Sequence, residues 1–375
     1  MICKYILLTF VSFTFIYACS KNDSSENNSC TGTSLGLKKS SYENFKEIDL
    51  TPQIFPNGLG RYDTVAYADF NQDGFIDIFG AILTYWPPTT QEAATDSKFG
   101  FYINNCKGDF EKNESYFTLN ETCIHPRKAL INDFNNDGIP DVFVICHGWD
   151  KNPFPGEKNK ILLSSSLGKY DLRSASSDIG FYHSGSSYDY NNDGYMDVLA
   201  VDSKNSNKIV YFKNDGNGSF LNDGSSRAPT VIANKNYFTA ELIDINDDNH
   251  LDLFVGGHEW EYDSITQIYL NPGNDNFSSV IPDNISAISN EGVVLDFTVT
   301  KKNSSTNIWI LRTSGGDGTF YQSRTIQRVS WPTLSSSTLV KDRNLHWIPW
   351  IIPSVIDGKN VITSDNKDNY FTLEY

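Results

Sequence analysis

The sequence predicts an all-β fold, a β-propeller of four-stranded blades, and three observations support this prediction. An aspartate-rich motif recurs four times along the 375 residues, and its copies begin 64, 56 and 55 residues apart. Short apolar and aromatic runs of strand length flank every copy. Four-stranded units that repeat every 40 to 60 residues or so are typical of propeller blades.

Each copy of the motif reads D-x-N-x-D-G-x-x-D, with one exception at the sixth position. Oxygen atoms from positions 1, 3 and 5 of a tight turn converge on one point, a main-chain carbonyl at position 7 adds a ligand, and the Asp at position 9 completes the shell. Calcium takes about six to eight oxygen ligands, so the motif predicts about four calcium ions. The predicted ligands are Asp69, Asn71, Asp73, Phe75, Asp77, Asp133, Asn135, Asp137, Ile139, Asp141, Asp189, Asn191, Asp193, Tyr195, Asp197, Asp244, Asn246, Asp248, His250 and Asp252.

The fourth copy has Asn249 where the others have Gly, and we expect it to keep its site because Asn tolerates a left-handed backbone. An EF-hand is excluded, since it needs a Glu at position 12 and two flanking helices. Position 12 is Gly80, Val144, Ala200 and Val255 in the four copies.

A second shared pattern follows each motif, an apolar strand with a polar turn and an aromatic residue. It occupies residues 101–110, 161–170, 209–220 and 268–277. Each unit therefore contains four predicted strands, with the metal loop between the first and the second strand.

The loop together with this second pattern resembles the FG-GAP or VCBS repeat, the type that builds the integrin α-subunit propeller. The resemblance covers residues 62 to about 281, and residues 290–330 and 345–375 resemble blades that lack the metal loop. We predict six blades, with seven as the alternative, within a propeller domain of residues 41–375. Residues 42–50 are expected to supply the fourth strand of the last blade and so close the ring.

In propellers of this family the metal loops lie on one face and the loops after each second strand lie on the opposite face, which in integrins carries the ligand. The resemblance therefore directs attention to the loops after each second strand. The candidate ligand-face residues in these loops are Trp86, His147, Trp149, His258 and Trp260. The alternative is that each Trp packs between blades as a remnant of the repeat.

The first residues resemble an export signal. An apolar stretch follows Lys4 and runs into Ala18-Cys19, which resembles the lipobox of bacterial lipoproteins. We predict a lipoprotein signal peptide at residues 1–18, lipidation of Cys19, and a flexible tether over residues 19–40. The lipid would anchor the protein to the outer membrane, either periplasmic or surface-exposed. This apolar stretch is too short to span a bilayer, and no later stretch is long and apolar enough to do so.

Four further cysteines leave three disulfide connectivities open, and the pair Cys106–Cys123, which flanks one predicted strand, is our first choice. The remaining cysteines of this set are Cys30 and Cys146.

The net charge of −16 argues against nucleic acid as a partner, because phosphate binding needs a basic surface. We predict a non-catalytic binding or scaffold protein whose ligand is a protein or a glycan. The alternative is an enzyme acting on polysaccharide, a lyase or a hydrolase. His147 with Asp150, or His258 with Glu259, are the pairs from which such a site could be built.

Overall fold

The structure is a computed structural model. It describes residues 62–75, 77–84, 90–105, 110–117, 122–166, 168–204, 209–232, 235–343, 348, 350–356, 359–364 and 371–375. The predicted signal peptide, Cys19, the tether, the strand at 42–50 and Trp86 lie outside these residues, as do Cys30 and Cys106.

The described residues form six antiparallel sheets, which confirms the prediction of six blades. Blade 1 holds β1 (Tyr62–Ala68), β2 (Asp77–Ile82), β3 (Lys98–Asn104) and β4 (Phe110–Asn113). Blade 2 holds β5 (Pro126–Asn132), β6 (Asp141–Cys146), β7 (Lys160–Ser166) and β8 (Lys169–Ser174). Blade 3 holds β9 (Tyr182–Tyr188), β10 (Asp197–Asp202), β11 (Ile209–Asn214) and β12 (Phe220–Gly224).

The last three blades continue the same order of neighbouring strands. Blade 4 holds β13 (Tyr237–Ile243), β14 (Asp252–Gly257), β15 (Gln267–Tyr269) and β16 (Asp283–Asn284). Blade 5 holds β17 (Val293–Lys302), β18 (Ser305–Thr313), β19 (Ser323–Trp331) and β20 (Ser335–Arg343). Blade 6 has three described strands, β21 (Ile352–Ile356), β22 (Lys359–Thr363) and β23 (Thr372–Glu374). The described residues contain no helix long and apolar enough to cross a membrane.

The second strands explain why the sequence forms this fold. Every residue of β6, β10 and β14 is buried, because each of these strands pairs on both edges and is covered on both faces by neighbouring blades. Their sequences are correspondingly continuous apolar runs rather than alternating ones.

The first and last blades pack against each other and close the ring. One buried cluster combines Val65, Tyr67 and Tyr102 of blade 1 with Trp350 and Ile352 at the beginning of blade 6. This contact removes an exposed seam that an open array of sheets would leave.

The first strands surround the centre of the ring. Lys128 of β5 and Glu241 of β13 form a buried ion pair, although they belong to blades 2 and 4. Their side chains therefore meet across the centre, and the pairing leaves each charge with a partner of opposite sign.

The predicted pairing of Cys106 with Cys123 is wrong, because the structure joins Cys123 to Cys146. Cys123 precedes β5 and Cys146 ends β6, which are antiparallel neighbours, and their Cα atoms lie 6.3 Å apart. That separation lies within the usual range for a disulfide. The bridge closes the end of the β5–β6 hairpin opposite its aspartate-rich loop.

Blade 5 has a two-residue turn where blades 1 to 4 have an aspartate-rich loop. Asn303 and Ser304 connect β17 to β18, and both have a left-handed backbone with φ of 48° and 63°. Two consecutive positive φ angles are the geometry of a tight hairpin turn.

Candidate functional site

The four aspartate-rich loops connect the first and second strands of blades 1 to 4, as the sequence predicts. They run from Asp69 to β2, from Asp133 to β6, from Asp189 to β10, and from Asp244 to β14. All four therefore lie at the same end of the strands.

The Asp at position 1 folds each loop by accepting two main-chain hydrogen bonds. In the second loop, Asp137 N–H donates to Asp133 Oδ1 at 3.0 Å and Gly138 N–H donates to Asp133 Oδ2 at 2.8 Å. The same pair of bonds recurs in the other three loops, with distances between 2.8 and 3.2 Å. The four predicted sites thus share one loop geometry.

The Asp at position 9 ties each loop to the third strand of its blade. Ser164 N–H in β7 donates to Asp141 Oδ1 at 2.6 Å, and Phe134 N–H donates to Asp141 Oδ2 at 2.7 Å. Equivalent bonds from the third-strand side reach Asp77, Asp197 and Asp252 at 2.8 Å. Sequence reasoning assigned these carboxylates only to metal binding and missed their part in joining strands.

Two residues of each loop adopt a left-handed backbone. Position 6 has φ of 92°, 84° and 89° at its three glycines and 66° at Asn249, so Asn249 adopts the left-handed backbone on which the expectation for the fourth loop depends. Position 4 is also left-handed, with φ between 57° and 63° at Gln72, Asn136, Asn192 and Asp247. The motif does not specify the residue type at position 4, which is why this feature was not predicted.

The position-9 carboxylates are fully buried next to other carboxylates. Burial raises the pKa of Asp77, Asp141 and Asp197 to about 7 and that of Asp252 to about 6, and the charges of neighbouring loop aspartates add to the rise. Such groups are costly to keep ionised without a nearby positive charge. A bound cation would supply that charge.

The oxygen atoms that the loops offer as ligands fit a calcium ion. They are carboxylate, amide and carbonyl oxygens, which are the ligands that hard cations prefer. In the third loop, Asn191 Oδ1 is buried and has no hydrogen-bond partner among the described residues. This oxygen belongs to position 3, one of the predicted ligands. Lys213 Nζ lies 3.1 Å from Asp193 Oδ2 and partly offsets the negative charge of this loop.

A pocket of about 350 Å³ opens at the other end of the strands. Three repeat positions line it in successive blades: eight residues before the first loop Asp, six residues before it, and fourteen residues after it. They are His125, Arg127, Phe181, His183, Ser203, Asn236, Phe238 and His258. Asp150, Phe154, Lys204, Tyr262 and Tyr321 complete the wall.

The position fourteen residues after the first loop Asp supplied candidate residues from the sequence, whereas the two positions before it did not. Arg127, His183 and Phe238, which share the position six residues before the first loop Asp, were therefore not predicted. An alignment of the repeats could have identified these residues, because a polar or aromatic residue occupies the same position in each of three first strands, which face the centre.

A histidine and a tyrosine are hydrogen-bonded inside the pocket. His258 Nε2 and the Tyr321 hydroxyl are 3.2 Å apart, and His258 Nδ1 lies 3.6 Å from Glu261 Oε2. Burial lowers the pKa of His258 although Glu261 opposes the shift, so its ring is neutral at pH 7. A neutral imidazole here can accept a proton or a hydrogen bond from a ligand.

The structure separates the four described ligand-face candidates. His258 lines the pocket, whereas His147 and Trp149 are buried behind its wall. Trp260 is 52% exposed, lies outside the pocket, and covers Gly292 and Gly316. Burial of Trp149 is what the alternative of packing between blades expects for that residue.

The two residue pairs proposed as catalytic candidates have different surroundings. A ring nitrogen of His147 and a carboxylate oxygen of Asp150 lie within 4.8 Å of each other, and both lie within 4.8 Å of a ring nitrogen of His125. Glu259 instead points to Arg312, whose Nη1 lies 2.8 Å from Glu259 Oε2 in a fully buried ion pair. The structure therefore brings His147 and Asp150 together and gives Glu259 a different partner from His258.

Burial also lowers the pKa of His147 and His183 well below the ordinary value for histidine. The neighbouring histidines and the positive charge of Arg127 lower both pKa values further. His183 Nδ1 shares a hydrogen bond of 2.8 Å with Ser203 Oγ. The pocket thus contains neutral imidazoles at pH 7.

Comparison with known proteins agrees with the repeat and the fold. Residues 189–255, which extend from the third loop to within β14 after the fourth loop, match the family model of the FG-GAP-like repeat. No curated protein matches the chain. The chain therefore contains FG-GAP-like repeat sequence and folds as a six-bladed β-propeller.

Proposed function

We propose that this protein is a calcium-stabilised lipoprotein of the cell envelope whose propeller binds a glycan, without catalysis, in the central pocket. The observation that carries the proposal is the pocket itself, a concave site lined by equivalent positions of successive blades. Its volume lies within the range of roughly 300–1,000 Å³ common for small-ligand sites.

The lining favours a glycan over a protein surface as the ligand. Phe154, Phe181, Phe238 and Tyr262 offer aromatic rings beside histidine, arginine, serine and asparagine side chains. Sugar rings present apolar C–H faces and many hydroxyl groups, so they match a mixture of aromatic and polar groups. A protein ligand remains the alternative, since a loop could insert the same kinds of group.

The calcium ions have a structural role in this proposal. The loops that would hold them lie at the opposite end of the strands from the pocket, so the ions would stabilise the blades without touching the ligand. Each would offset the charge of the three aspartates that bind it.

The envelope location rests on the lipobox-like sequence before Cys19, with the lipid as the only attachment to the membrane. Radioactive palmitate should label the wild-type protein in bacteria, and the Cys19→Ala variant should lose both the label and the membrane fraction. Membrane retention of the unlabelled variant would contradict a lipid anchor.

Binding can be tested with two variants of equal exposure. Tyr262 and Trp260 are each 52% exposed and lie two residues apart, but only Tyr262 lines the pocket. On a panel of immobilised glycans, Tyr262→Ala should weaken binding at least tenfold, whereas Trp260→Ala should bind like the wild type. If no glycan binds while a protein is captured through Tyr262, the ligand is a protein. Equal loss in both variants would contradict a site in the pocket.

A second candidate is a polysaccharide lyase, favoured by the contact between His258 and Tyr321. In such a reaction a neutral His258 takes the proton from the carbon next to a uronic carboxyl group. The freed electron pair forms the C=C bond, the glycosidic C–O bond breaks, and the Tyr321 hydroxyl protonates the leaving oxygen. The positive charge of Arg127 would stabilise the intermediate carboxylate dianion.

Ultraviolet absorbance of the unsaturated product distinguishes the two candidates. A lyase releases this product from a uronic-acid glycan, and the Tyr321→Phe variant loses release while still binding the glycan. A protein that binds glycan and releases no unsaturated product from any bound uronic-acid glycan is not a lyase.

A further inference from the structure

Three side chains with metal-binding atoms converge at the wall of the pocket. One donor atom from each of His125, His147 and Asp150 lies within 4.8 Å of the others. The two imidazole rings are 3.9 Å apart between centroids. Both histidines are buried, whereas Asp150 is exposed at the pocket.

The hydrogen bond of His147 fixes which of its nitrogens can bind an ion. Nδ1 lies 2.8 Å from the carbonyl oxygen of Gly148 and must carry the proton to donate to it. Nε2 therefore has the lone pair. It is fully buried and has no hydrogen-bond partner among the described residues. A main-chain carbonyl bound to the other ring nitrogen is the usual way that a metal-binding histidine is oriented.

The disulfide holds the two histidines in place. Cys123 is two residues before His125, and Cys146 directly precedes His147. His147 N–H also donates to the carbonyl oxygen of His125 at 3.1 Å. The two strand ends are thus joined by a covalent bond and a hydrogen bond, so the spacing of the rings is set before any ion arrives.

Simple packing is the competing explanation. The His147 ring stacks on Phe181 with centroids 4.3 Å apart, as a buried aromatic side chain would. Packing alone, however, leaves the buried Nε2 of His147 without a partner, which costs about 1–3 kcal/mol.

We propose that His125, His147 and Asp150 bind a divalent transition-metal ion such as Zn²⁺ at the pocket wall. Two imidazole nitrogens and one carboxylate oxygen suit zinc, whereas calcium prefers oxygen ligands alone. Three protein ligands leave a further position for water or for an oxygen atom of a ligand. Because Asp150 and His125 line the pocket, that position is accessible from it. This site is separate from the calcium loops and does not depend on the identity of the glycan.

Calorimetric titration of the whole protein with Zn²⁺ tests the site, with millimolar Ca²⁺ present to fill the loops. The wild type should bind one equivalent. Asp150→Asn and His147→Gln should lose this binding, since even the loss of a residue that merely supports a ligand costs about 10–100-fold in affinity. His183→Gln is the matched control, because it removes a nearby half-buried histidine of the pocket that is already bonded to Ser203.

Thermal melting of each variant shows whether it is folded. Asp150 is exposed, so its variant stays folded even if the His147 variant does not. Replacement of Zn²⁺ by Co²⁺ should add visible absorption bands that disappear in Asp150→Asn. The proposal is overturned if the wild type binds no zinc, if Asp150→Asn binds zinc like the wild type, or if His183→Gln loses zinc as completely as His147→Gln.

Discussion

At the scale of single residues, the hydrogen bonds of the loop aspartates use the same carboxylate oxygens that a calcium ion would bind. Asp141 accepts hydrogen bonds from Phe134 and Ser164, which fixes its orientation without neutralising its charge. Hydrogen bonds favour the ionised carboxylate, while burial and its neighbour Asp137 disfavour it. The pKa of Asp141 is raised because, without a bound cation, the effect of burial outweighs that of the hydrogen bonds.

The glycine at position 6 should matter for its backbone alone. Gly138 has φ of 84°, and a Cβ atom there would meet no atom within 4 Å. Gly138→Ala should therefore lower the free energy of unfolding by about 1–2 kcal/mol through backbone strain. Chemical denaturation measures this. Asn249→Gly is the control and should be as stable as the wild type or more so, whereas an unchanged Gly138→Ala would refute the strain.

The raised pKa values predict how stability depends on pH without calcium. A carboxyl group whose pKa is about 7 when folded and 3.8 when unfolded binds more protons in the folded state between these values. The free energy of unfolding should therefore fall as pH rises from about 4 to about 7 in chelator. Urea unfolding at several pH values measures it. Calcium should abolish the fall because it keeps the carboxylates ionised, and a rise with pH in chelator would contradict the shifts.

At the scale of elements, the blade is the unit that the sequence specifies best. The four loops and the strands that follow them were predicted because each combines a turn signal with an apolar run of strand length. The disulfide was not, because its partner depends on which strand ends become neighbours. Cys123 and Cys146 meet since β5 and β6 pair in antiparallel register, which cysteine spacing alone does not reveal.

Calcium should slow amide hydrogen exchange in the blades that contain an aspartate-rich loop and should leave exchange in blade 5 unchanged. In hydrogen exchange, the amides that donate to position-1 and position-9 aspartates, such as Gly138 and Ser164, should exchange faster in chelator. The β17–β18 hairpin has only a two-residue turn in place of the loop and should exchange at the same rate in both conditions. Equal acceleration of both regions would mean that the effect is global unfolding rather than local loss of calcium.

At the scale of the whole molecule, the count of six blades followed from the repeat, but the contents of the centre did not. Twelve of the 46 acidic residues are predicted calcium ligands, so the net charge says little about the ligand of the propeller. The pocket residues come from several blades and are brought together only by ring closure. Arg127 and His183 were therefore recognised in the structure and not in the sequence, whereas His258 was predicted because its loop has the same pattern as that of His147.

The most direct measurement is the thermal unfolding of the protein with and without calcium. At about 1 mM calcium, a site with a Kd of about 10⁻⁴ M stabilises the fold by about 1.4 kcal/mol. Four such sites should raise the midpoint of unfolding by roughly 10 °C over the value in chelator. Calcium should restore the midpoint after chelation, and magnesium should not, because it demands shorter and more regular coordination. Melting curves that coincide in calcium and in chelator would contradict the account.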